Sequence, residues 1–233
     1  AMGAAAVTGV ANYDMMIIGE VLESTDGLGV FVRPDSPIAQ ATGYNPSYPN
    51  VLGSPETVKG ITMLLPIGTA QHFTALKWLE KLGLGITDVN IVNMDTAQAY
   101  QALQAKQCDA VSLNVPTFFD AENDGMVQVG NLADLGTRYV DMVVANRRAV
   151  EGQPELVQKY IDCITEACAA LNADPDMAAD LFVEYLKEAG AETTRENCVS
   201  DLSRVNIIEQ KDWKERSLGN FAKELGEFYI NLG

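Results

Sequence analysis

Residues 64–73 read LLPIGTAQHF. An apolar run at 61–65 ends in Gly68-Thr69, and apolar Phe73, Leu76, Leu79 and Leu82 then follow at helical spacing. A helix that starts there leaves the first backbone N–H groups, at Thr69, Ala70, Gln71 and His72, without partners inside the helix. Such a start can hold a sulfonate, a carboxylate or a polarised ring oxygen, with a dipole contribution of about 0.3–1 kcal/mol. The alternative is that Thr69 merely caps the helix, worth about 1 kcal/mol; the residues alone leave both open. His72 is the only histidine, the side chain that titrates near neutrality. No Cys, Ser or Asp beside it completes a nucleophile–base pair, and one histidine cannot build a His-rich metal site. We therefore expect no catalytic residue and no metal, with His72 acting as a hydrogen-bond donor.

Two further places carry polar residues after a run of strand character. Gly19 and Glu20 close YDMMIIG at 13–19, read as a parallel strand, and open α/β sheets bind ligands beyond the carboxyl ends of such strands. Glu20 there would favour a cationic or amine-bearing solute; as a solvated loop carboxylate it would do nothing. In NVPTFF at 114–119, Asn114 and Thr117 are placed to hydrogen-bond a ligand, while Phe118 or Phe119 either packs on it or fills the core. GLGVF and GLGIT lack the Lys-Ser/Thr and the glycine spacing of a phosphate loop, and no cofactor is expected.

The elements that must position these residues are legible in the patterning. Strands at 61–65, 90–94 and 110–115 alternate with helices at 69–82 and 96–106, the signature of a parallel sheet. Runs at 13–19 and 29–33 read as buried strands that neighbour one another in a core, and 126–132 and 139–145 continue the series. Residues 34–55, rich in Pro, Ser, Gly, Asn and Tyr, read as an inserted surface loop. From Pro154 onward the chain is helical: a first-turn proline, then a second start at Asp174-Pro175 with a stop at Gly190, and a last helix over 218–232.

Composition bounds the possibilities. The 233 residues are 47% hydrophobic, enough for two small lobes with a buried core. A net charge of −16 repels nucleic acid and anionic membrane surfaces. No apolar run approaches the roughly 20 residues of a membrane-spanning helix. The opening AMGAAAVTGV shows no charged n-region, so the residues by themselves assign no compartment. Four cysteines without CxxC spacing read as buried free thiols; Cys163 and Cys168 point about 140° apart on a helix, while a pairing of either with Cys198 stays open.

The ordered set DMMIIG, GLGVFVRPDSPI, VKGITMLLPIGTAQHF, DVNIVNMDTAQAYQALQAKQCDAVSL and VDMVVANRRAVEGQPELVQKYI resembles the solute-binding proteins of ABC importers, in the branch serving nitrate, sulfonates, taurine and thiamine-precursor pyrimidines. Gly68, Thr69 and His72 match that family's Gly-Ser/Thr followed three residues later by His. The resemblance implies a type II periplasmic-binding-protein-like α/β fold: two lobes with mixed, mainly parallel sheets flanked by helices. The lobes would be 1–58 with its loop 34–55, 59–136, and a return to the first lobe at 137–233, with crossings near residues 53–60 and 135–139. It also implies capture of a small polar or anionic solute by hinge closure, delivery to a membrane permease, and a periplasmic or extracellular location, with or without a membrane tether. The chain meets the family pattern after its first strand–helix–strand, so the first lobe is expected to be incomplete and to dimerise or exchange strands through the part containing 13–19. Enzymes on the same fold, of menaquinone-pathway or pyrimidine-forming type, are the alternative and would use His72. A regulator's effector domain would share the lobes but would call for an upstream DNA-binding segment.

Overall fold

The computed structural model describes residues 3–24, 26–190, 193–216 and 219–231. In chain order the elements are α1 (Gly3–Asn12), β1 (Met15–Ser24), β2 (Leu28–Val32), α2 (Pro37–Gln40), α3 (Pro55–Val58), β3 (Thr62–Leu65), α4 (Ala70–Lys81), β4 (Asn90–Asn93) and α5 (Thr96–Gln104). There follow β5 (Ala110–Asn114), α6 (Thr117–Asn123), β6 (Val127–Asn131), β7 (Tyr139–Asn146), α7 (Arg147–Gly152), α8 (Pro154–Ala173), α9 (Pro175–Glu188), α10 (Arg195–Leu202), β8 (Val205–Ile207) and α11 (Asn220–Asn231). The last helix thus appears where the pattern places it, with residues 218 and 232 of the expected span outside the described residues.

The chain forms two compact units, 1–24 with 139–233 and 25–138. This corrects the expected division in one respect: residues 25–58 belong with 59–138. The reason is β2, which is hydrogen-bonded on both sides within the second unit, to β5 and to β6. The first crossing between units therefore falls at Ser24–Thr25, not near residues 53–60, and β1 and β2 lie in different sheets. The loop 34–55 also belongs to the second unit, where it buries Ile38 and Val51 and where the Leu52 amide donates to the Val129 carbonyl at 2.9 Å.

The sheet of unit 25–138 has the order β4-β3-β5-β2-β6. Parallel pairing is confined to β3 with β4 and β3 with β5, the segment where strands alternate with helices; β2 runs antiparallel to both its neighbours. The sheet is mixed as expected but not mainly parallel, because β2 enters from the crossing rather than from a helix. Alternate residues Phe31, Leu64, Val111 and Leu113 join Leu103 and Phe118 from α5 and α6 in one core cluster. The intervening Val30, Met63, Leu65 and Ala110 are fully buried as well. Period-2 alternation with both sets buried means a sheet covered on both faces. Trp78 of α4 is fully buried, and its indole N–H donates to the Leu52 carbonyl at 3.0 Å.

Unit 1–24 with 139–233 is built on an antiparallel sheet of order β7-β1-β8. Helix α1 packs on β1 and β7, and the Ala4 amide donates to the Tyr139 hydroxyl at 2.6 Å. Tyr139 also meets Phe221 of α11 edge to face. Helix α9 starts as its sequence indicates: Pro175 occupies the first turn and the Asp174 side chain accepts from the Met177 amide at 2.9 Å. All four cysteines are free, so the pairing with Cys198 is not made; Cys108, Cys168 and Cys198 are buried thiols.

Replacing Trp78 with Ala removes the largest fully buried side chain and strands the Leu52 carbonyl. The expected cost is about 3–5 kcal/mol, read as a lower midpoint in urea unfolding; a loss below about 1 kcal/mol would contradict this packing.

Candidate functional site

Strands β3, β4 and β5 run parallel, so their carboxyl ends share one edge of the sheet, and each gives onto the start of a helix: α4, α5 and α6. The β3–α4 turn contains Gly68 at φ +79, in the left-handed region, and a Cβ added there would meet no atom within 4 Å. Glycine is needed at this position for its backbone conformation, not for space. The Ile67 amide donates to Asn93 Oδ1 at 2.9 Å, tying this turn to the end of β4.

Thr69 stands at the cap position of α4, but its side chain makes no cap hydrogen bond; its hydroxyl donates backwards to the Pro66 carbonyl at 2.6 Å. The capping alternative is therefore not what the structure shows. By contrast, Asp95 caps α5, accepting from the Ala97 amide at 3.0 Å.

Gln71 is 4% exposed and reaches the start of α5 and the end of β5. Its amide nitrogen donates to Asn114 Oδ1 at 2.8 Å and to Thr96 Oγ1 at 3.1 Å. Its Oε1 is buried without a hydrogen-bond partner. His72 is 6% exposed, and Nδ1 accepts the Gly68 amide at 3.3 Å. That bond places the imidazole proton on Nε2, which is buried and has no partner. Burial pushes the His72 pKa below its ordinary 6.5, because the charged form loses solvation. Buried polar atoms in native proteins are nearly always paired. An acceptor on Gln71 and a donor on His72, both from the first turn of α4, are thus among the described buried polar atoms that make no hydrogen bond within the chain.

The structure thus brings together Gly68, Thr69, Ala70, Gln71, His72 and Asn114. Thr117, the first residue of α6, instead lines a groove between α5 and α6 with Tyr100 and Asp120. Phe118 and Phe119 fill the core, Phe118 edge to face with Phe31 at 5.0 Å. Gly19 and Glu20 lie in the other unit and in the middle of antiparallel β1, not at the end of a parallel strand. A Cβ at Gly19 would fall 2.5 Å from the Trp213 ring, so the glycine is a seat for that indole, whose N–H donates to the Glu20 carbonyl at 2.9 Å. The Glu20 carboxylate is 3% exposed, 3.5 Å from Arg216 Nε, and accepts the Gly219 amide at 3.3 Å. Its charge is answered by Arg216, which also pairs with Glu23. Thr96 and Asn93 were missed as neighbours of these residues, although Asn93 ends a strand and Asp95-Thr96 carries the start signal of a helix.

A model of the NMT1/THI5-like family matches residues 48–178, more than half of the chain, and the chain belongs to that family. It is 35% identical over 230 residues to a Brachyspira hyodysenteriae protein described as a candidate ABC transporter periplasmic binding protein. The match covers 99% of this chain and 66% of that protein, so the chain spans about two thirds of the relative's length. Among solved structures, the periplasmic aliphatic sulphonate binding protein SsuA of Escherichia coli superposes with a TM-score of 0.69 at 18% identity, over 99% of this chain and 73% of that one. The desulfurization enzyme DSZB superposes with a TM-score of 0.66 at 16% identity, over 96% and 75%. At these identities the likeness is one of fold, and that fold is the type II periplasmic-binding-protein architecture.

His72 titrates below its unfolded value, so the folded state binds fewer protons than the unfolded state in mildly acidic solution. Its contribution to stability is present above about pH 6.5 and is lost as pH falls through the lowered folded pKa. His72→Asn, whose Oδ1 can still accept the Gly68 amide, should show a smaller loss of stability between pH 7.5 and 5.5 than the parent chain. Equal losses in urea titrations at the two pH values would refute the buried neutral imidazole.

Proposed function

We propose that this chain is the solute-capturing component of an ABC importer, binding a small polar or anionic organic molecule and passing it to a membrane permease. The observation that supports this most directly is the uncapped first turn of α4 with the unpartnered Gln71 Oε1 and His72 Nε2 beside it. Together these offer N–H donors toward an oxygen-rich head group and one acceptor toward a ligand N–H or O–H. A sulfonate, a carboxylate or a pyrimidine-like ring satisfies that pattern. The relative of 35% identity supports the transport setting and, with it, a periplasmic or extracellular location.

The mechanism would be hinge closure. The chain passes between its units at 24–25 and 138–139, one crossing at the end of β1 and the other at the start of β7, where a rotation would be taken up. Glu20, held by Arg216, is better placed to brace β1 than to select a cationic solute. No helix among the described residues is long and apolar enough to cross a membrane, and the permease would supply the passage.

A thermal-shift screen of sulfonates, carboxylates, amino acids and pyrimidines, with native mass spectrometry for a co-purified molecule, tests the reading. A true solute at a hundredfold its Kd should stabilise the chain by about 2.7 kcal/mol. Gln71→Leu, which removes the bridge to Asn114 and Thr96, should weaken that binding about tenfold or more, equivalent to about 1.4 kcal/mol. If no class shifts the melting curve and nothing co-purifies, the proposal fails. Turnover of a solute that collapses by orders of magnitude on substituting His72 would favour an enzyme instead.

A further inference from the structure

Helices α4 and α8 make opposite use of their apolar residues. Nine of the twelve residues of α4 are buried, whereas only Cys168 is buried among the twenty of α8. On α8 the residues Leu156, Tyr160, Cys163, Ala167 and Ala170 repeat with spacing 4, 3, 4, 3 and all are exposed. Leu156 is 58% and Tyr160 55% exposed. Apolar residues alternating every three and four positions form one straight seam, the pattern by which a helix packs against a second helix. The stripe borders the inward face of α8, which carries Cys168 and Leu171: Ala167 and Ala170 also line the rim of an apolar cavity of about 760 Å³ against β1 and β8, and Tyr160 and Ala167 line a smaller groove with Val21 and Val143.

We propose that this seam is a self-association surface, occupied by α8 of a second copy of the chain in antiparallel orientation about a twofold axis. Two features select that occupant. The first is size: antiparallel register sets Leu156 against the partner's Ala167 and Tyr160 against the partner's Cys163, a large side chain meeting a small one in each layer. The second is charge. Lys159 and Glu166 flank the seam on the same side, seven residues apart, so the antiparallel twofold brings Lys159 of each copy to the partner's Glu166, giving two ion pairs. A parallel arrangement would face them with Ile164 and Leu171 instead. Helix α8 lies in the same unit as residues 13–19, through which dimerisation was expected.

The register makes Cys163 a reporter. In the antiparallel pair the two Cys163 residues are offset by three positions, about 4.5 Å along the axis, on helices about 8–10 Å apart. That separation exceeds the roughly 7 Å limit for a direct disulfide but suits a short bis-maleimide linker. At tens of micromolar protein and 150 mM salt, sedimentation or light scattering should give twice the 25.2 kDa chain mass, and the linker should join two chains through Cys163. Tyr160→Lys, at an exposed position, should reduce association at least tenfold with an unchanged circular dichroism spectrum. Lys159→Glu should weaken it severalfold, and adding Glu166→Lys should restore it. A clean monomer at that concentration would overturn the proposal, as would a dimer indifferent to Tyr160→Lys. Rapid Cys163 disulfide formation without a linker, or failure of the charge swap to restore association, would overturn the antiparallel register.

Discussion

The burial of α4 against its sheet is the constraint from which the candidate site follows. Phe73, Leu76, Trp78 and Leu79 must all leave solvent at once, at roughly 1.5–3 kcal/mol for each large side chain. That requirement draws the first turn under cover along with the rest of the helix. Gln71 and His72 are buried as a consequence, and their polar atoms need partners that water can no longer provide. Gln71 finds two, at the start of α5 and the end of β5, through one amide nitrogen. Its oxygen and the His72 Nε2 are what remain.

Long-range electrostatics works against an anionic solute. A net charge of −16 gives no attraction at a distance, and screening confines such fields to about 8 Å at physiological salt. Recognition in this chain would therefore rest on short-range donors fixed by backbone geometry, which cost no reorganisation when the ligand arrives. Keeping His72 neutral is consistent with that economy of charge: the imidazole accepts from Gly68 on one side and offers a single N–H on the other.

The two units differ in how completely they use their apolar residues. In unit 25–138 both faces of the sheet are covered, and even the Pro-rich excursion at 34–55 contributes Val51 and Ile38 to the interior. In the other unit the sheet is small, and α8 and α9 leave Leu156, Tyr160, Leu181 and Tyr185 well exposed. The Escherichia coli structure carries the same fold on a longer chain.

What the sequence determined by itself was the local periodicity and the punctuation. The alternation of β3, α4, β4, α5 and β5, the glycine start of α4 and the Asp174-Pro175 start of α9 depend on neighbours within a few residues, and they were readable to within one or two positions. The head of α4 was legible as a helix start for the same reason. What only the tertiary structure decided was partnership. That β2 joins β5 and β6 rather than β1, that Glu20 is answered by Arg216 nearly two hundred residues away, and that Thr96 shares the Gln71 amide with Asn114 are all contacts between distant segments. No spacing along the chain encodes them, because they depend on which faces are left over once each element has buried its own apolar side.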